Sequence, residues 1–525
     1  MRNDREEAKM KKYRKYIVVA LMVLMPIISL QVMGANEPQK QTLYQSLRRF
    51  NDILRIVDHR YAQDVDPVEL VNKAIRGMLS SLDPYSVYLD EKTHKEFMIR
   101  TTGKYGGLGF EVGKVDGWVT VIAPFEGTPA WRAGLKPGDR VIKIDGVSTK
   151  GITLEEAVSK MRGIPGTEVT ITIAREGVGE PMDLTIERAK IKVEPIPYFG
   201  LINKDIGYVK IASFSPGVGK NLTKVLKELD GMGAKKLILD LRSNPGGYLN
   251  EAVNVADNFI DKGRLIVSEL GQTPSANRKF YAKKGMTVGE FPLIVLVNRG
   301  SASASEIVAG AVQDWDRGLV VGDTTFGKGL VQTIVPLDEG AALKLTIARY
   351  YTPSGRCIDR TDTLRFMLKN PTLAQEYQTS GKFKRKIEST GSIVPDIVLE
   401  YRQTPHLLRE IAQKGLFMQY ASKYVSEHKA LSEDFKIEEA DLQDLKAFVE
   451  DKGVEIKEEE FDESKSMVTE VLEISIAENV WGIKGRYKVL LDYDPWIKEA
   501  KTILEAASSV DQLFATLSES ENKMK

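Results

Sequence analysis

Between Pro195 and Glu400, apolar runs of strand length, IGYVKIASF, KKLILDLR and FPLIVLVN, alternate with the helical patterns VGKNLTKVLKEL and LNEAVNVADNFI. This alternation constrains the fold more than any other feature of the chain. Strands with no polar face must be covered on both sides, and helices with one apolar stripe supply the cover, which gives the layers of an α/β domain. At 525 residues the chain exceeds one ordinary core, so further domains are expected. Lys and Arg number 74 against 73 Asp and Glu, a balance that creates no field strong enough to call for nucleic acid or an acidic partner.

The flanks divide by pattern. A basic stretch, KMKKYRK, precedes the apolar run Ile17 to Met33, which reads as an export signal or a membrane anchor. Pro26 and Gln31 weaken it as a permanent span, and Gly34-Ala35 offers small residues for cleavage. In either case the positive flank keeps the start cytoplasmic and sends the rest across the membrane, so the periplasm or the periplasmic face of the inner membrane is the expected location. The expected domains are a signal or anchor over 1–35, a helical N-terminal domain over 36–98, a β-rich domain over 99–190, the α/β core over 191–400 and a mainly helical extension over 401–525. That extension is charge-dense, as in EEADLQDLKAFVEDKG, and reads as solvated. Cys357 is the sole cysteine, which excludes an intrachain disulfide and a lipid-bearing cysteine after the signal.

Chemistry concentrates in the α/β segment. Gly300 to Glu306 reads GSASASE and follows a strand-like run; Ser303 and Glu306 have the spacing of a capping box, so this stretch begins a helix. A serine nucleophile needs a base, usually histidine. The four histidines, His59, His94, His406 and His428, all lie outside 195–400, and none has companions at zinc-ligand spacing. Lys328, between two glycines in TTFGKGLVQT, is the remaining candidate base. To act at neutral pH its amine must fall roughly three pH units from about 10.4, about 4 kcal/mol, which burial in a dry apolar site supplies.

The β-rich segment contains YGGLGF, GTPAWRAGLKPGDRVIKIDG and TLEEAVSKMRG. These stretches resemble PDZ domains, which add an extended peptide to a sheet edge and capture its terminal carboxylate. The resemblance implies that Leu108, Gly109 and Phe110 meet the carboxylate, and that Val158 and Met161 line the side-chain pocket.

GSASASEI followed by FGKGLVQ resembles the C-terminal processing peptidases, also called tail-specific proteases. The resemblance extends over AIRGMLSSLDPYSVYL, the PDZ-like module, DLRSNPGGYL and SIVPDI. It implies a multidomain α/β protein with a crotonase- or ClpP-like peptidase core, and an endopeptidase that forms an acyl-enzyme. By the same resemblance Ser303 is the nucleophile, Lys328 its general base, and Gln332 the residue that orients the lysine from the same strand face. The oxyanion is expected at the Ala304 N–H and at Gly246 or Gly247, between which the sequence does not choose. Arg162 would link the PDZ module to the core. The implied partners are proteins or peptides with accessible C-termini; no metal or cofactor is implied, membrane attachment is allowed by the N-terminal segment, and self-association is left open. One departure is Tyr85 of LDPYS, where histidine is common, expected to leave the dyad untouched. The rival readings are a catalytically silent PDZ scaffold, against which Ser303, Lys328 and Gln332 all stand, and an acyl-CoA enzyme, which suits neither an export signal nor a PDZ module.

Overall fold

The computed structural model describes residues 42–360, 377–428 and 430–523. The expected signal or anchor over 1–35 lies outside the described residues, and no described helix is long and apolar enough to cross a membrane. The chain divides into two compact units, ending and beginning at Leu82 and Asp83.

The first unit contributes the helices Leu43–Arg60 and Pro67–Ser80. Thr42 and Gln45 exchange a capping box at the start of the first, and Asp66 caps the second ahead of Pro67. The helical N-terminal domain expected to run to residue 98 therefore stops sooner. The segment after Leu82 joins the second unit because Val87–Leu89 pairs antiparallel with Ala342–Lys344.

In the second unit, the strands Phe110–Val115, Trp118–Pro124, Arg140–Ile144, Glu168–Ala174 and Met182–Glu187 form an antiparallel sheet in which Phe110–Val115 is an edge. Alternate residues such as Val119 and Val121, and Val169, Ile171 and Ile173, fill its core. The helix Leu154–Met161, started by a capping box between Thr153 and Glu156, packs Ala157 and Met161 into that core.

The expected α/β layer is a six-stranded sheet: Tyr198–Leu201, Ile206–Lys210, Lys236–Asp240, Leu293–Val297, Leu319–Gly322 and Ile397–Val398. The first pair is antiparallel and the rest are parallel. On one face Val209, Leu239, Val295 and Val297 meet the helices Val218–Gly231, Leu249–Ala256 and Ala304–Asp314. On the other face, Tyr208, Ile238, Ile294 and Leu296 meet Leu491, Ile497, Leu504 and Phe514. The C-terminal region is helical as expected, yet it is not simply solvated. Its last helices supply the second cover that a parallel sheet requires, and its earlier helices reach the β-rich domain, where Gln419 accepts from Arg140 at 3.1 Å and Lys452 pairs with Glu176 at 3.0 Å.

A second, antiparallel sheet joins Val87–Leu89, Ala342–Tyr351, Leu265–Gly271 and Arg278–Tyr281, with Leu330–Pro336 also paired to Ala342–Tyr351. It brings the segment after Lys328 and the segment after Tyr85 to the same long strand.

Candidate active site

The three serines of GSASASE separate by burial. Ser301 and Ser305 are fully buried, and their hydroxyls donate to the carbonyls of Leu241 (2.8 Å) and Asn244 (2.9 Å). Both hold the serine turn to the SNPGG turn. Ser303 stays partly accessible, with no cap hydrogen bond from its side chain. Its backbone, φ 55° and ψ −110°, is one that non-glycine residues rarely adopt. The anticipated capping box survives in one half: the Glu306 carboxylate accepts the Ser303 N–H at 2.8 Å, and the Glu306 N–H donates to the Ser303 carbonyl at 2.9 Å.

Glu306 is fully buried and does more than cap. Its two oxygens also accept from Thr325 Oγ1 (2.6 Å), Gly327 N–H (2.7 Å) and Lys328 N–H (2.9 Å). One carboxylate thus fastens the serine turn to the lysine turn. Burial pushes its pKa up from the ordinary range, against the pull of these four donors. The glycines around Lys328 answer to crowding: a Cβ at Gly329 would stand 2.0 Å from the Ile358 carbonyl. Burial, and then the like charge of Lys344, lower the Lys328 pKa, with Glu306 opposing them.

The SNPGG turn lies directly against Ser303. Gly246 has φ +100°, and a Cβ there would sit 2.9 Å from Ser303 Cβ and 3.0 Å from the Ala304 nitrogen. The Gly246 N–H is taken by Asn244 Oδ1 at 2.9 Å. Among the described residues, the N–H groups of Gly247 and Ala304 donate to no acceptor within the chain. Behind the turn, buried Asp240 receives Arg242 at 2.6 Å and Lys210 at 3.1 Å, and Arg242 also pairs with Asp494 at 2.8 Å. Burial works against the Asp240 charge, but these two cations hold its carboxyl well below the usual range.

Two expectations about the lysine need correction. The alternation from Lys328 to Gln332 is interrupted by a β-bulge between Val331 and Gln332, and the Gln332 amide nitrogen donates to the Tyr85 carbonyl at 2.9 Å. Tyr85, expected to leave the dyad untouched, places its ring centroid 5.0 Å from Lys328 Nζ. The cause is the pairing of Val87–Leu89, directly after LDPYS, with the strand Ala342–Tyr351, together with the Thr346 N–H donated to Ser86 Oγ 260 positions away, which no local pattern announces. Glu306, legible as a cap from its spacing to Ser303, gave no local sign of its bonds to the lysine turn, and the Asp240 and Arg242 network gave none either.

The peptide-binding residues assigned by resemblance converge. Leu108, Gly109, Phe110, Val158 and Met161 line one cavity of about 420 Å³ beside the edge strand Phe110–Val115, and Arg162, expected as the link to the core, lines it too. Leu108, Phe110 and Met161 make its floor apolar, and the Arg162 guanidinium lies 4.9 Å from the Tyr105 ring centroid. Ala212 and Ser213 of the core line the same cavity. The next residue, Phe214, bonds the SNPGG turn on both sides: its N–H donates to Gly246 O (3.0 Å) and its carbonyl accepts from Tyr248 (2.9 Å). One short segment therefore touches the groove and the turn that packs on Ser303.

Comparison with known proteins agrees with this architecture. The peptidase family S41 matches residues 205–364, the PDZ domain 120–175, the N-terminal domain of the activating protease CtpB 15–93, and a family of unknown function 407–482. The carboxy-terminal-processing protease of Bartonella bacilliformis is 43% identical over 343 residues, covering 65% of this chain and 78% of the relative. The carboxy-terminal processing protease CtpA of Bacillus subtilis is 37% identical over 350 residues, covering 66% and 74%. Among solved structures, a photosystem II D1 C-terminal processing protease is 28% identical, covers 67% of this chain and 92% of its own, and superposes with a TM-score of 0.37. The sequence relatives and family matches establish that the chain is a serine-type peptidase and belongs to the carboxy-terminal processing proteases of peptidase family S41.

Proposed function

We propose that this protein cleaves polypeptides captured by their C-termini, with Ser303 as nucleophile and Lys328 as general base. The observation that carries the reading is the buried Glu306 carboxylate, bonded to the backbone of both residues at once. Lys328 takes the Ser303 hydroxyl proton as Oγ attacks the peptide carbonyl, then returns it to the leaving amine. Its lowered pKa leaves more of the amine neutral at physiological pH than an ordinary lysine would have. The Ala304 N–H, at a helix N-terminus, and the Gly247 N–H receive the oxyanion, while Gly246 keeps its N–H on Asn244 and fits the turn to the serine. A water activated by the same lysine releases the acyl-enzyme. Gln332 supports the lysine through Tyr85, whose carbonyl takes the Gln332 amide while its ring faces the Lys328 amine.

The C-terminal residue of the substrate occupies the cavity lined by Leu108, Phe110, Val158 and Met161, whose composition favours an apolar side chain. Arg162 is the link from that cavity toward the core. The basic flank and the apolar run at the N-terminus support a periplasmic location, soluble or held at the inner membrane.

The test is cleavage of an unstructured protein with an apolar tail by the full chain and by Ser303→Ala and Lys328→Ala. Both variants are expected to lose at least about 10³-fold in kcat; substantial cleavage by either removes the dyad. Amidation of the substrate's terminal carboxylate is expected to raise KM, and an unchanged KM removes recognition of the chain end. Cell fractionation with N-terminal sequencing of the mature protein tests the location, and recovery in the cytosol with an intact N-terminus overturns it.

A further inference from the structure

Tyr85 stands where neither motif nor spacing assigned it a role, and its geometry assigns one. Its ring faces the Lys328 amine at 5.0 Å, and its carbonyl accepts the Gln332 amide. The turn that carries it is rigidly tied. Asp83 Oδ1 accepts the N–H groups of Tyr85 and Ser86, each at 2.8 Å, and Oδ2 accepts the Ser86 hydroxyl at 2.7 Å. Buried Ser86 in turn accepts the Thr346 N–H at 3.1 Å, and Val87–Leu89 continues as a strand against Ala342–Lys344. The ring is therefore fixed to the same sheet that carries the lysine segment.

We infer that Tyr85 is a positioning residue for the general base, a wall that keeps bulk water from the Lys328 amine and offers its π face to the ammonium formed when the serine proton arrives. The inference rests on the Ser303 and Lys328 reading. When the Ser303 O–H bond breaks, the new N–H bond leaves a positive charge on Nζ in a partly buried space. An aromatic face stabilises such a cation without solvating the neutral amine beforehand. Other charges act on this pair: Lys344 from the strand Ala342–Tyr351 and Glu306 from the helix Ala304–Asp314 on the amine, and Asp359, Glu306 and Asp83 on the Tyr85 hydroxyl. All of them remain in the variants proposed here, so a change in pH response reports the ring.

The experiment measures kcat and KM against pH for the full chain, Tyr85→Ala, Tyr85→Phe and Tyr85→Leu, on a peptide with an apolar C-terminus. Water admitted by Tyr85→Ala is expected to move the acid limb of kcat toward ordinary lysine, lowering kcat at neutral pH about tenfold for each pH unit of displacement. KM should stay within about twofold, since Tyr85 does not line the peptide groove. Tyr85→Phe, which keeps the ring, is expected to restore the wild-type limb. Tyr85→Leu, a wall without a π face, is expected to keep the limb near wild type with a lower plateau, and it serves as the reading if the alanine variant does not fold. An unmoved limb in Tyr85→Ala, or a limb displaced equally in Tyr85→Phe, overturns the inference. Without a folded alanine variant, a Tyr85→Leu plateau equal to wild type overturns it. Lys328→Ala is measured alongside: retained cleavage removes the dyad and this inference together. An inactive Lys328→Ala with an unmoved Tyr85→Ala limb removes this inference alone.

Discussion

The reaction centre and the peptide groove are built by opposite means. Around Ser303 and Lys328, backbone is held by buried polar atoms: one carboxylate takes four donors, two buried serines bond carbonyls of Leu241 and Asn244, and Gly246 lies so close that a Cβ there would sit 2.9 Å from Ser303 Cβ. In the groove, apolar side chains define a cavity that is open along a strand edge. A constellation for bond breaking must be located within a fraction of an ångström, whereas a pocket for varied chain ends gains from tolerance. Substitutions at the first region should therefore fall on kcat and those at the second on KM.

The largest expected effect tests that division at its centre. Glu306→Gln replaces a four-fold acceptor by an amide whose nitrogen faces donors, and each orphaned donor costs about 1–3 kcal/mol. A fall in kcat of about 10²-fold, a lower Tm and an unchanged KM are expected; a wild-type kcat would show that the carboxylate positions nothing. Gly246→Ala is next. Its Cβ must displace Ser303 or the Ala304 nitrogen, in a backbone conformation that already costs an L-residue about 1–3 kcal/mol. Its kcat is expected to fall by roughly 10-fold to 100-fold, the range those energies convert to, with labelling of Ser303 by a fluorophosphonate slowed in parallel. Met161→Asp places a charge on the groove floor and should raise KM about tenfold for apolar-tailed substrates, while kcat at saturation is preserved. A fall confined to kcat would break the division.

The smallest effect is on stability and sharpens the comparison from the other side. The Lys328 pKa is lowered in the fold, so around neutral pH, below the unfolded value, the folded state binds fewer protons at this site than the unfolded chain. This site therefore disfavours folding more as pH falls from the unfolded pKa through the folded one. Lys328→Met, inactive, should have a slightly higher Tm than wild type at pH 7, with the gap narrowing as pH rises toward 10. Calorimetry that found it less stable would mean the lysine stem is needed for packing. No groove substitution is expected to stabilise in this way.

Much of this was legible in the sequence. Apolar runs gave the parallel strands, the PDZ resemblance named five residues that line one cavity, and the lack of histidine in the core directed attention to Lys328. What stayed hidden depended on contacts between distant segments. The Glu306 and Ser303 spacing of three announces a cap, but nothing local announces that the same carboxylate reaches Thr325, Gly327 and Lys328 around twenty residues later. Tyr85 and Gln332 are 247 positions apart, and a bulge at Val331 defeats the period-two argument that would have aimed Gln332 at the lysine. The charge-dense C-terminal region looked solvated because its charges dominate the pattern, yet apolar positions set among them, Ile497, Leu504 and Phe514 included, cover the sheet.

That cover has a consequence in time. The strands bearing Tyr208, Ile238, Ile294 and Leu296 precede Leu491 to Phe514 in the chain, so during vectorial synthesis their outer face emerges first and waits for its lid. Arg242, two residues ahead of Asn244 in the SNPGG turn, likewise waits for Asp494. Completion of the proteolytic machinery is thereby scheduled after the last third of the chain has arrived, so a half-made copy is a poor protease.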